Sequence, residues 1–187
     1  MFRASWQHWK KSSLLCHSRN DLNFNVSMSV TIAIETPLQD EVRALVAELN
    51  AVLLELTPPE HCHHLTVEQM ADVDTAVFIA RDGGAAIACG ALKRHTGGIG
   101  EVKRMYTRPS HRGRRIGEQI VACIEAMARA GGLKRLVLET GDRHHAAWKV
   151  YERSGFVAAA RCSTIPTSDG RCSMRRLSPA EVYATEA

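Results

Sequence analysis

No run of apolar residues in this chain approaches the roughly 18 needed to span a bilayer, so no membrane partner is expected. The six cysteines, Cys16, Cys62, Cys89, Cys123, Cys162 and Cys172, lack any framework spacing, and no secretory signal precedes them. They read as free thiols in a reducing cytoplasm, with a Cys162–Cys172 disulfide across a terminal hairpin as the alternative. A net charge of +4 is too small to demand a nucleic-acid partner. Much of that charge sits near the start, where Arg3, Lys10, Lys11 and Arg19 face only Asp21, so the rest is nearly neutral. Zinc-finger spacing is missing too. In Glu60-His61-Cys62-His63-His64 the donors are adjacent, and adjacent side chains do not easily converge on one ion, so no metal is expected. Internal repeats and low-complexity tracts are absent.

What remains is ordinary globular composition: 187 residues, 45% hydrophobic and 24% charged, enough for one domain with a full core. Residues 1–27 hold Trp6, Trp9 and the basic cluster without a clean period. They are expected to be an extension, disordered or not native, with a targeting peptide or a partner-binding arm as alternatives. The domain is expected over 28–178 and a frayed tail over 179–187. A strand-like run at Val30–Glu35 opens it. Pro37 begins a helix with Thr36 as N-cap, and Val42, Leu45, Val46, Leu49, Val52 and Leu53 follow the 3.6 period until Pro58-Pro59. A second helix runs over Thr66–Ala71. Thr75–Ala80 and Ala85–Leu92 read as a hairpin about Asp82-Gly83.

Next comes a strand over Glu101–Thr107. Strict alternation puts Glu101, Lys103 and Met105 on one face and Val102, Arg104 and Tyr106 on the other. The following turn, Arg112-Gly113-Arg114-Arg115-Ile116-Gly117, starts a helix whose Ile116, Ile120, Val121, Ile124 and Met127 keep helical spacing up to Gly131-Gly132. Three arginines at a helix N-terminus oppose the macrodipole, which favours anions there. The arrangement makes sense if a phosphate sits at that end, held by free backbone N–H groups and guanidinium groups. Leu133–Glu139 is then a strand, Ala147, Val150 and Tyr151 stripe a last helix, and Phe156–Arg161 pairs with Arg171–Arg176.

Taken together, the strand, the basic turn and its helix, Leu138-Glu139-Thr140, Ala146-Ala147-Trp148-Lys149-Val150-Tyr151 and Ser154-Gly155-Phe156 resemble the GCN5-related N-acetyltransferases (GNAT). The likeness covers roughly Ser29 to Leu177. In the family's turn pattern, Gln/Arg-x-x-Gly-x-Gly/Ala, this chain has Arg112, Arg115 and Gly117, so Arg115 replaces a glycine. It would sit in the first helical turn, where no positive φ is needed.

The resemblance implies an α/β fold with a mixed central sheet of about six to seven strands and about four helices. It implies acetyl-CoA as co-substrate and transfer to a primary amine of a small molecule or protein. The alternative is a non-catalytic acyl-CoA-binding or regulatory domain of the same fold, and a homodimer stays open. Met105, Tyr106 and Thr107 would pair through their backbone with the pantetheine arm. Arg112, Gly113, Arg114, Arg115, Ile116 and Gly117 would hold the pyrophosphate, and His144 would touch the cofactor arm. Tyr151 matches the residue that protonates the leaving thiolate. Glu101 and Glu139 are the candidates for the base, and Glu60, His63 and His64 for the acceptor pocket.

Overall fold

The computed structural model describes residues 16–17, 30–56, 65–141, 143–159 and 171–176. Strands β1 (Cys16–His17), β2 (Thr31–Ile34), β3 (Thr75–Asp82), β4 (Ala85–His95), β5 (Ile99–Thr107), β6 (Arg135–Thr140), β7 (Val157–Ala159) and β8 (Arg171–Arg176) form one eight-stranded sheet. Their spatial order is β1-β2-β3-β4-β5-β6-β8-β7. All pairs are antiparallel except β5 with β6. Four helices among the described residues accompany the sheet: α1 (Asp40–Leu56), α2 (Val67–Met70), α3 (Ile116–Ala130) and α4 (His145–Arg153). This is the expected mixed α/β class; the strand count rises to eight because a two-residue edge strand joins the sheet.

Alternation along β3 and β4 splits the core in two. Val42, Leu45, Val46 and Leu49 of α1 pack with Val77, Ile79, Ala86, Cys89 and Ala91 on one face. Ile116, Ile120, Val121, Ile124 and Met127 of α3 pack with Phe78, Ile87, Leu92, Leu136, Leu138 and Tyr151 on the other. Each fully buried aliphatic side chain contributes about 1.5–3 kcal/mol, so the periodic faces of both helices bind them to the sheet.

Two helix starts differ from expectation. α1 begins at Asp40 rather than Pro37, and Thr36 Oγ1 accepts from Leu38 N at 3.4 Å as a turn, not as an N-cap. Arg81 of β3 pins this entry through Glu35 at 2.8 Å and Glu41. α3 begins at Ile116, with Arg115 outside it as the N-cap residue at φ 56° and ψ 22°. The expectation that Arg115 needs no positive φ is therefore wrong. The helix cannot start one residue earlier, because Arg115 sits in the left-handed region. For a residue with a Cβ that conformation costs roughly 1–2 kcal/mol.

β5 also departs from strict alternation. Cys89 faces Tyr106, but Ala91 faces Lys103, so two steps on β4 match three on β5. The extra residue is a β-bulge at Arg104, whose φ is 54°. Val102 and Met105 consequently both lie against the α3 cluster, while Arg104 and Tyr106 face α1. The predicted grouping of Met105 with Glu101 and Lys103 fails for this reason. Gly90 of β4 lies opposite the bulge. A Cβ there would stand 2.5 Å from Met105 Sδ and 2.7 Å from Ile120 Cγ2, so only glycine fits.

A candidate site where two strands part

β5 and β6 pair in parallel only at Ile99–Arg135, Gly100–Leu136 and Glu101–Val137. Beyond that point β6 stays paired with β8 along its whole length. From Val102 onward, β5 therefore has no strand on its β6 side among the described residues. Just past the divergence comes the bulge, which turns the backbone of Arg104 and Met105. An open strand edge offers N–H and C=O groups to any extended ligand, as a further strand would. Met105, Tyr106 and Thr107 lie on that edge. The Tyr106 side chain is turned away from it: its hydroxyl donates to Glu48 Oε2 at 3.2 Å on α1. Burial first, then the Glu48 charge, holds this phenol above its ordinary pKa.

The basic turn lies on the α3 side. Gly113, at φ 81°, lets the chain reverse into α3. Arg115 provides no side-chain cap, so the N–H groups of the first helical turn keep their anion-binding capacity. The arginines are not equivalent. Arg112 Nε donates to Thr107 O at 3.2 Å, which ties the turn to the strand edge. Arg114 bridges Asp82 at 2.6 Å, so it is partly neutralised. Arg115 is exposed. At Gly117 a Cβ would meet Val150 Cγ1 at 3.5 Å, an ordinary contact, so the packing of α4 against the first turn of α3 does not itself demand a glycine there. A cleft of about 480 Å³ lies beside the turn, lined by Asp82, Ala85, Ile87, Arg108, Ser110, His111 and Arg114. Of the expected site residues it contains Arg114 alone.

Tyr151 is 7% exposed, with its ring edge-on to Phe156 at 5.9 Å. Its hydroxyl has no hydrogen bond among the described residues. Burial pushes the phenol well above its usual pKa, so it stays protonated. His144 precedes α4; burial, then the Arg143 charge, lowers its pKa and keeps the imidazole neutral at pH 7.

The two carboxylates behave differently. Glu101 is 2% exposed and both oxygens are taken, by His95 Nε2 at 2.8 Å and Lys103 Nζ at 2.6 Å. It stands at the closed end of the gap, where the last β5–β6 pair is made. Glu139 lies two residues past the last β5–β6 pair and is half-buried at the open end. Because Val137 is the register partner of Glu101, Glu139 lies one same-face step further along β6. Glu60, His63 and His64 lie outside the described residues.

Several residues in this region escaped the sequence reading. Arg104 is 8% exposed and its Nη2 donates to Asn50 Oδ1 at 2.6 Å. Glu48 holds both Tyr106 and Arg108, His95 holds Glu101, and Asp82 holds Arg114. The available signal was Asn50, a polar residue directly after Leu49 of the buried α1 stripe.

A model of the Acetyltransferase (GNAT) family matches residues 44–156. The chain is 43% identical over 129 residues to an IAA acetyltransferase of Azospirillum brasilense, covering 68% of this chain and 84% of that protein. A solved chain from Klebsiella pneumoniae, described as an acyl-CoA N-acyltransferase, is 32% identical, with a TM-score of 0.65 over 79% of this chain and 97% of that one. The PaiA N-acetyltransferase of Thermoplasma acidophilum, solved with coenzyme A, shares the fold at 15% identity. Its TM-score is 0.62 over 80% of this chain and 100% of that one.

Proposed function

This chain belongs to the GNAT family of acetyltransferases, and we propose that the gap between β5 and β6 is where its acetyl-CoA meets an acceptor amine. The activity is acetyl-CoA-dependent N-acetyl transfer, and the chain is an enzyme. The parting of β5 from β6 after Glu101 carries the site assignment, because it leaves one strand edge open beside a helix N-terminus that favours anions.

In this reading the backbone of Met105, Tyr106 and Thr107 binds the pantetheine arm. The N–H groups following Arg112, with Gly113, Arg114, Arg115, Ile116 and Gly117, hold the pyrophosphate. His144, neutral at pH 7, can donate to or accept from the arm. Holding both reactants supplies much of the rate, up to about 7–11 kcal/mol of the barrier. Tyr151 gives its proton to the leaving thiolate, which its protonated state permits. Glu139, at the open end, is favoured over Glu101 as the base acting through water, since Glu101 already holds two donors. Glu60, His63 and His64 remain the acceptor-side candidates.

The functional domain is proposed to lie within residues 28–178. A cytoplasmic location is proposed from the free, buried thiols of Cys89 and Cys123. No helix among the described residues is long and apolar enough to cross a membrane. The test combines two measurements. Acetyl-CoA at about 100 times its dissociation constant should stabilise the fold by roughly 2.7 kcal/mol, and thiol release should depend on added amine. No rise in melting temperature with millimolar acetyl-CoA refutes the reading.

A further inference from the structure

Among the described residues, Arg104 is a buried cation without a carboxylate partner. It is 8% exposed, the one hydrogen-bond partner of its guanidinium is the neutral Asn50, and its Nε–H is buried with no acceptor. The neighbouring acids are committed elsewhere: Glu48 to Arg108 and Tyr106, and Glu101 to Lys103 and His95. Burial lowers its pKa, and the buried Cys89 thiol, itself pushed up to about 12 by burial, supplies no anion at neutral pH. A buried charge left uncompensated is strongly unfavourable. Arg104 also occupies a left-handed backbone position that favours glycine. Two costs at one residue point to a counter-charge that arrives with a ligand.

Its place in the gap says which ligand. Arg104 directly precedes Met105 on the unpaired edge of β5, and its side chain reaches α1. The basic turn lies on the opposite, α3 side. A donor anchored at that turn and threaded along the edge keeps its sulfur beside Tyr151 on the α3 side, so an acceptor that attacks through the gap comes from the α1 side. Nε and Nη2 form one edge of the guanidinium, which matches a carboxylate in bidentate geometry. We infer that Arg104 binds the carboxylate of the acceptor, so that the acceptor is an amino acid or another small amine carrying a nearby carboxylate. This rests on the acetyl-transfer reading above. It disfavours lysine side chains and peptide N-termini, which bring no carboxylate to that point.

The test compares matched acceptors, amino acids against their own amides, by thiol release from acetyl-CoA. Amidation makes the amine less basic and leaves more of it neutral, so intrinsic reactivity favours the amide. A preference for the acid in kcat/KM by at least about tenfold, the worth of a charge-assisted hydrogen bond, supports the inference. In Arg104→Gln the acid-to-amide ratio should fall by about tenfold to a hundredfold, chiefly through KM of the acid, and Arg104→Lys should restore part of it. Equal or better use of amides by the wild-type protein overturns the inference without any variant, so a misfolded mutant leaves it decidable. A variant that lowers acids and amides alike, in kcat, overturns it too, because Arg104 would then act on the reacting carbonyl. If acetyl-CoA binds but no amine of either kind is acetylated, the transfer reading falls and this inference with it.

Discussion

Arg104 and Arg115 are the two non-glycine residues with positive φ among the described residues, at 54° and 56°, and they flank one gap from opposite sides of the sheet. Both backbone positions are of the kind glycine fills without strain. Arg104 is enclosed, held by Asn50, and locked by the register that forces the bulge. Arg115 is exposed at a helix start, where water solvates its guanidinium. Equal backbone strain is therefore tied to unequal surroundings. On the α1 side the side chain's own desolvation needs a partner, and on the α3 side nothing in the fold itself needs the arginine. A charge at a strained, solvated position is tested through ligand affinity, whereas a charge at a strained, buried one also shapes the core and is tested through stability.

The hardest test of this contrast removes the chemistry expected between the two sides. Tyr151→Phe keeps the ring and its edge contact with Phe156 at 5.9 Å. The lost hydroxyl makes no hydrogen bond among the described residues, so stability should hardly change. Turnover should fall by about 10²–10⁴ while acetyl-CoA binding is kept. The raised pKa of the phenol makes it a reluctant acid, which favours the low end. Full activity in single-turnover measurement would make Tyr151 a core residue and leave the gap without its acid.

A smaller effect should come from the α1 side. Asn50→Ala removes the one hydrogen-bond partner that the Arg104 guanidinium has among the described residues. Unfolding in urea should show a loss of about 1.5–3 kcal/mol, the usual worth of a hydrogen bond to a charged group. A loss of a few tenths would mean that water reaches Arg104, and the contrast with the exposed Arg115 would disappear.

How far the sequence led follows from the same two residues. The α3 stripe from Ile116 to Met127, the Asp82-Gly83 hairpin and the closing Ser154-Gly155-Phe156 were legible because each is set by local chemistry or helical period. The bulge was not. Nothing local marks it, since the αL position that glycine would have advertised carries an arginine. It arises from the register of β4 against β5. Extending strict alternation through Glu101–Thr107 therefore put Met105 on the wrong face and hid the pairing of Arg104 with Asn50. The start of α3 was misjudged in the same manner, because a left-handed Arg115 looks like any helix former. The ion pairs of Glu101 were half legible: Lys103 lies two residues along the strand, but His95 reaches Glu101 only through the hairpin of β4 and β5.

The smallest predicted change is on the α3 side and has two readouts of opposite sign. Arg115→Gly relieves the left-handed conformation, worth roughly 1–2 kcal/mol. It also frees the unfolded chain, which takes back about 0.5–1 kcal/mol. Arg115 makes no capping bond and is exposed, so no native contact offsets the difference. The net gain should be about 1 kcal/mol or less, a rise in melting temperature of about 2–4 °C for a domain of this size. If the guanidinium reaches the pyrophosphate, affinity for acetyl-CoA should fall even as the free protein becomes more stable. The drop should shrink with added salt, because the contact is exposed and screened. A variant that is more stable and binds acetyl-CoA as well as the wild type would show that the arginine only replaces a glycine. Arg104 would then be the sole member of the pair whose strain serves a ligand.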